Sequence, residues 1–176
     1  ITMAKLYYNC PGGAFGDCMP FGKDGVFYLY YLKDNRKPQD QKDPFVWDLV
    51  ATPDFVHYTE QGTAIAGSGP NDQDQDIISG SVMEGMGQYH AFYTGANLSF
   101  SAKGLPSQVQ MHATSDDLIH WTKDHSLHLP PQPGYDISDW RDPFVIWDPE
   151  EEQYLMLFGG RKAGPKTQQT GRTVWY

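Results

Sequence analysis

Two segments decide the fold: VATPDFVHYTE, Val50–Glu60, and HATSDDLIHWTK, His112–Lys123. Ala-Thr, an Asp, an apolar pair, His, an aromatic ring and Thr recur in the same order. A second set repeats alongside them: GVFYLYYL (Gly25–Leu32), GQYHAFYTG (Gly87–Gly95) and EQYLMLFGG (Glu152–Gly160), each an aromatic-rich strand entered from a turn. Both sets share an offset of about 62 to 65 residues, above the roughly 40 to 50 of common propeller blades, which leaves room for long loops. The pattern predicts an all-β chain in which a four-stranded blade repeats around an axis, a β-propeller.

The rest of the chain agrees. No window keeps apolar residues at helical spacing for more than a few turns, and 18 Gly with 13 Pro interrupt everything. Strands are expected at Val26–Leu32, Phe45–Thr52, Ile77–Met83, Gln88–Thr94, Val109–Thr114, Phe144–Trp147 and Gln153–Phe158, with a further one opening at Thr173–Tyr176. The Asp-x-x-His-Trp/Tyr-Thr segment should turn from the third strand of a blade into the fourth, so His57 and His120 belong to architecture. This places blade 1 at about 17–62, blade 2 at about 76–125 and blade 3 from about 140. The 176 residues hold two to three such blades, whereas a closed propeller takes about 4 to 8. The chain therefore reads as part of a longer protein.

Composition narrows the partners. Asp and Glu number 22 against 13 Lys and Arg, a net charge of -9, which argues against binding a phosphate backbone. Apolar runs are far shorter than the roughly 20 residues of a membrane helix, so neither nucleic acid nor a membrane is expected as partner. Cys10 and Cys18 are too few for a disulfide scaffold or a zinc site, and whether they bond to each other stays open. The start, ITMAKLYY, shows no basic region followed by an apolar core, as in a cytoplasmic protein or a processed secreted one. The histidines lack HExxH-like spacing, so no metal and no cofactor is expected.

Candidate chemistry lies where blades begin. Asp17 in FGDCMPF and Asp142 in WRDPF precede the first and third aromatic strands. The first strand of every propeller blade lines the axis, so these carboxylates should converge on one funnel. Convergent carboxylates are the equipment for glycosidic bond cleavage. Arg141 would keep a neighbouring carboxylate ionised and offer a planar donor fork to sugar hydroxyls. Ser79-Gly80-Ser81, ahead of the second aromatic strand, points small polar groups toward the same axis.

These residues resemble a known family. GDCMPF, WDLVATPDFVHY, SGSV with YHAFYTG, TSDDLIHWTK and WRDPFVIWD are similar to the N-terminal half of the five-bladed propeller of glycoside hydrolase family 32, the invertases, inulinases and levanases. The resemblance implies a retaining glycosidase acting on fructosides. It puts Asp17 on the nucleophile, Asp142 on the transition-state stabiliser with Arg141 beside it, Trp47 on an aromatic wall of the sugar pocket and Ser79 on a hydroxyl contact; Ser81 joins them as a substrate-binding candidate. The family's acid/base is a Glu in a Glu-Cys pair downstream of Arg-Asp-Pro. No Glu-Cys pair occurs in this sequence, so the remainder of the propeller is needed for a complete site, and this segment alone should be inactive.

Two positions depart from the family's pattern. Asp17 is flanked by Gly16 and Cys18 instead of Asn and Pro, and Leu32 replaces the Gln that ends the following strand. Two alternatives therefore stand beside a retaining hydrolase: an inverting arabinanase- or xylosidase-like propeller, and a non-catalytic sugar-binding one. Elsewhere, Asp72, Asp74 and Asp76 in NDQDQD alternate as calcium ligands do, but without the loop glycine and closing Glu they read as a solvated acidic loop. Asn97-Leu98-Ser99 matches a glycosylation sequon.

Overall fold

The structure is a computed structural model that describes residues 8–34, 44–165 and 170–176. The start of the chain, on which the leader question turns, and most of the Gly/Lys/Pro/Gln loop lie outside the described residues. Among the described residues, eleven strands form three antiparallel sheets. The first is β1 (Ala14–Lys23), β2 (Val26–Asp34), β3 (Val46–Thr52) and β4 (Thr59–Ile65), hydrogen-bonded in that order. The second repeats it with β5 (Asp76–Gly85), β6 (Gln88–Ala96), β7 (Gln108–Ser115) and β8 (Thr122–Leu129). The third holds β9 (Tyr135–Asp148), β10 (Gln153–Lys162) and β11 (Gly171–Trp175). Each sheet is a meander in which chain order equals spatial order, and β5 packs against both β1 and β9. These are blades of a β-propeller, with the first strand of each facing its neighbours. Among the described residues no helix is long and apolar enough to cross a membrane.

The turns repeat as the strands do. Asp24-Gly25 and Met86-Gly87, all at positive φ, close the first two hairpins, the two-residue turn whose twist matches that of the strands. After the third strand, Thr52 Oγ1 accepts from the backbone N–H of Asp54 and Phe55 (3.3 and 2.8 Å), and Ser115 Oγ from those of Asp117 and Leu118 (3.2 and 2.9 Å). Asp54 and Asp117 then each accept from the backbone of their His and bond its Nδ1 at 2.7 Å. The sequence aligns Thr52 with Thr114, whereas in the turn Ser115 takes its part, one residue later.

Apolar residues bury between blades. Trp47, Leu49, Ile77, Tyr93 and Val109 fill the seam of the first two sheets. Trp140, Val145, Met156 and Phe158 fill the next one, with Met83 and Phe92 packed against them. Tyr30 locks the first seam by donating its hydroxyl to Leu118 O at 2.6 Å.

Several expectations change. Strands β1, β4 and β8 and the first half of β9 fill places of the expected four-stranded blades that lie beyond the strand ranges read from the sequence, and Thr173–Tyr176 falls largely in the expected further strand, β11, which pairs with β10. Cys10 and Cys18 are free thiols. NDQDQD is not a solvated loop: Asp74 is 2% exposed and ion-paired with Lys123, and Asp76 accepts from Phe45 N, tying this loop to both flanking sheets. Asn97 has no exposed surface. Its amide donates to Pro70 O and Asp72 O while its oxygen caps the short 3-10 helix Leu98–Lys103, so the sequon is closed to a glycan in the folded protein.

Candidate functional site

Asp17, Ser79 and Asp142 occupy the same position of the repeat, one in each innermost strand, and each lies in a β-bulge. Gly16 and Asp17 together oppose Leu32 alone, because the register steps from Phe15↔Lys33 to Cys18↔Tyr31. Ser79 is the extra residue between Ile78↔Thr94 and Gly80↔Tyr93. Asp142 and Pro143 oppose only Phe158, between Arg141↔Gly159 and Phe144↔Leu157. A bulge breaks the ladder locally and re-aims a side chain, which is why bulges gather at active sites. Pro20 and Pro143 are tolerated because each stands in a first strand, bonded to one neighbour only.

The re-aimed groups meet. Ser79 Oγ donates to Asp17 Oδ2 at 2.7 Å, joining β5 to β1. Thr94, fully buried on β6, accepts from the backbone N–H of Asp142 at 2.9 Å. Its hydroxyl faces Ser79 O and Gln110 Oε1, each at 3.3 Å. Asp142 is thus connected to Asp17 through two side chains. The residue adopts φ 64, a left-handed conformation that costs a non-glycine residue of order 1–3 kcal/mol and persists where surroundings impose it. Burial against neighbouring strands pushes the Asp142 carboxyl up; Arg141 opposes the rise and the charge of Asp17 adds to it.

Arg141 reaches two carboxylates: its Nη1 donates to Asp139 Oδ1 at 2.5 Å and its Nε is 3.6 Å from Asp142 Oδ2. Arg161 on β10 bonds Asp139 Oδ2 and Asp136 Oδ2, both at 2.5 Å. Asp139, Arg141, Asp142 and Arg161, with Arg172 and the glycines 159, 160 and 171, line a cavity of about 350 Å³. Asp17 is not among its lining residues and communicates with it through Ser79 and Thr94.

Two expected contacts are displaced. Trp47 has no exposed surface, so it offers no aromatic wall to a sugar. Its indole N–H donates to Ile78 O at 3.0 Å, bracing the strand one residue before the Ser79 bulge. Ser81 is buried and accepts from Val145 N at 3.2 Å, fastening β5 to β9. Ser79, Asp17, Arg141 and Asp142 remain together. Sequence reasoning missed Thr94, Asp136, Asp139 and Arg161. Thr94 reads as one more strand residue, and the two acids at 136 and 139 just before Arg141 were the available signal for Asp139.

Propeller blades whose innermost strands gather carboxylates and a guanidinium fit one class of protein, the propeller type of glycoside hydrolase. Residues 17–175 match the model of the glycosyl hydrolases family 32 N-terminal domain, and the chain belongs to that family. It is 28% identical over 150 residues to a levanbiose-producing levanase of Bacillus subtilis (strain 168), covering 82% of this chain and 28% of that protein. To a sucrose-6-phosphate hydrolase of Escherichia coli it is 30% identical over 136 residues, 76% of this chain and 26% of the relative. Fructan 1-exohydrolase IIa from Cichorium intybus shares the fold with a TM-score of 0.70 at 22% identity, over 89% of this chain and 29% of the other. A Bombyx mori GH32 beta-fructofuranosidase does so with a TM-score of 0.70 at 21% identity, over 97% and 34%. The chain thus spans about a quarter to a third of the length of these relatives.

Proposed function

We propose that the protein carrying this chain hydrolyses fructosides or a related glycoside with retention of configuration. Asp17 acts as nucleophile and Asp142 as transition-state stabiliser. The observation that carries the reading is the triple bulge: three innermost strands each break their ladder at the repeat position that holds Asp17, Ser79 or Asp142. The substrate class follows from relatives named for levan, sucrose-6-phosphate and fructan.

The hydrogen bond from Ser79 fixes the rotation of the Asp17 carboxylate and aims its other oxygen at the anomeric carbon. That oxygen forms a bond to carbon as the glycosidic oxygen leaves and takes a proton from a general acid. Water then attacks the glycosyl-enzyme, gives its proton to the same group acting as base, and frees Asp17. Asp142, ionised, accepts hydrogen bonds from sugar hydroxyls that tighten as charge develops on the ring. Arg141 balances its charge. The acid/base is assigned to polypeptide beyond Tyr176. The glutamates here sit on the outermost β4 (Glu60), in an ion pair with Lys23 (Glu84) and in the loop between β9 and β10 (Glu150, Glu151 and Glu152).

Replacing Asp17 by Asn in the full-length protein tests the reading. It keeps the shape and the hydrogen bond from Ser79, so the fold should melt unchanged while kcat falls by at least about 10⁴-fold, as for loss of a nucleophile. Near-normal turnover would remove Asp17 from the chemistry.

A further inference from the structure

We propose that Asp139 is a positioning residue: held between two guanidiniums, it fixes Arg141 alongside Asp142. The inference deepens the reading of Asp142 as the sugar-binding carboxylate and rests on it.

Residues two apart in a strand share a face, so Asp139 and Arg141 lie together on β9. Arg141 Nη1 donates to Asp139 Oδ1 at 2.5 Å, while its Nε stays 3.6 Å from Asp142 Oδ2. The firm contact is with Asp139 and the loose one with Asp142. The far oxygen of Asp139 is occupied as well, receiving Arg161 Nε at 2.5 Å.

An irregular register makes this bridge possible. Pairing of β10 with β9 steps from Gly160↔Trp140 to Lys162↔Tyr135, so Arg161 alone opposes residues 136 to 139. Both carboxylates of that slack stretch, Asp136 and Asp139, fold onto its guanidinium. Arg161 is only 14% exposed, so the clamp is anchored in the sheet. An isolated surface pair would contribute little and leave its side chains mobile. Burial raises the Asp139 carboxyl, but the bonds from Arg141 and Arg161 outweigh it and hold it below the usual range, so the bridge stays charged where the enzyme would work.

Without Asp139, Arg141 is a long side chain, 44% exposed, with nothing firm to hold it. The charged groups around Asp142 are Asp17 from β1, Arg141 on its own strand, Arg161 on β10 and Arg172 on β11, and Arg141 is the neighbour whose charge draws its carboxyl down. Removing Asp139 lets Arg141 leave that place, so it should raise the Asp142 carboxyl and loosen substrate contacts together.

The test uses the full-length protein with Asp139→Asn, Asp139→Glu and Asp136→Asn, reading kcat, KM, the pH profile of kcat/KM and melting temperature. Asp139→Asn should cut kcat/KM by roughly 10- to 100-fold, the scale of a misplaced site group, and move the acid limb to higher pH. Asp139→Glu should recover most of the activity and the limb. Asp136→Asn removes a bond from Arg161 but none from Arg141, so its profile should match wild type even if it melts earlier. An unmoved limb and unchanged KM in Asp139→Asn, or equal losses in Asp136→Asn, would reduce Asp139 to a structural brace. If Asp139→Asn does not fold, Arg161→Lys must show the same limb shift in smaller size. Asp17→Asn separates the two ideas. Turnover in that variant breaks the proposed function, whereas an inactive Asp17→Asn beside a wild-type-like Asp139→Asn breaks only the positioning role.

Discussion

Asp142 concentrates what is unusual at single residues. A left-handed Asp inside a strand, followed by Pro143, costs backbone energy that the Thr94 hydroxyl helps to hold in place through the Asp142 N–H. Its carboxyl is pushed up by burial and by Asp17 and drawn down by Arg141. Because a stabiliser must be ionised, activity should fall on the acid side as Asp142 takes a proton. Arg141→Gln removes the positive charge that draws that carboxyl down, so the acid limb of kcat/KM should shift to higher pH, in the same direction as the shift from Asp139→Asn. A pH–rate profile of the full-length variant reads this directly; an unmoved limb would mean that Asp142 does not set it. Asp17 and Asp142 stood out in the sequence because each repeats a position relative to an aromatic strand. Thr94 did not, since its role depends on a bulge in a neighbouring strand that no local pattern announces.

At the scale of elements, the turn after each third strand carries the repeat most clearly. Its bonds match from Thr52 and Asp54 to Ser115 and Asp117, but the settings differ: Leu118 is buried and receives Tyr30 from the first sheet, whereas Phe55 is exposed. Ser115→Ala leaves the buried Leu118 N–H without its acceptor and should destabilise the protein by about 1–3 kcal/mol, read by denaturant unfolding. Thr52→Ala, in the exposed copy, should cost less. The Asp54 carboxyl is lowered to about 2, first by the backbone N–H and then by the ring of His57. Its contribution is therefore present above the ordinary value of 3.8 and lost as pH falls toward 2. Strands with an aromatic, buried face were readable from composition. The outermost strands β4 and β8, TEQGTAI and TKDHSLHL, are polar and half-solvated, so they carry no alternation to detect. Innermost β1 looks like a turn because its Gly, Asp and Pro serve a bulge and an unpaired side.

For the whole molecule, the repeat organises both stability and site. Aromatic seams between sheets supply the core, and the polar innermost strands are left to face one another. Trp47 shows where resemblance and packing part: the residue stays near the site, yet the seam claims its ring and only its N–H reaches toward Ser79 through Ile78. The Asp139–Arg161 bridge was hidden for a related reason, since it depends on a register slip between β9 and β10. For Asp17 as the proposed nucleophile, a covalent intermediate is the most direct signature. Full-length protein quenched in acid during turnover and digested for mass spectrometry should show one glycosyl unit added to the peptide that contains Asp17, and none there in Asp17→Asn. A glycosyl adduct on another residue, or turnover that yields the inverted anomer with no adduct, would contradict the account.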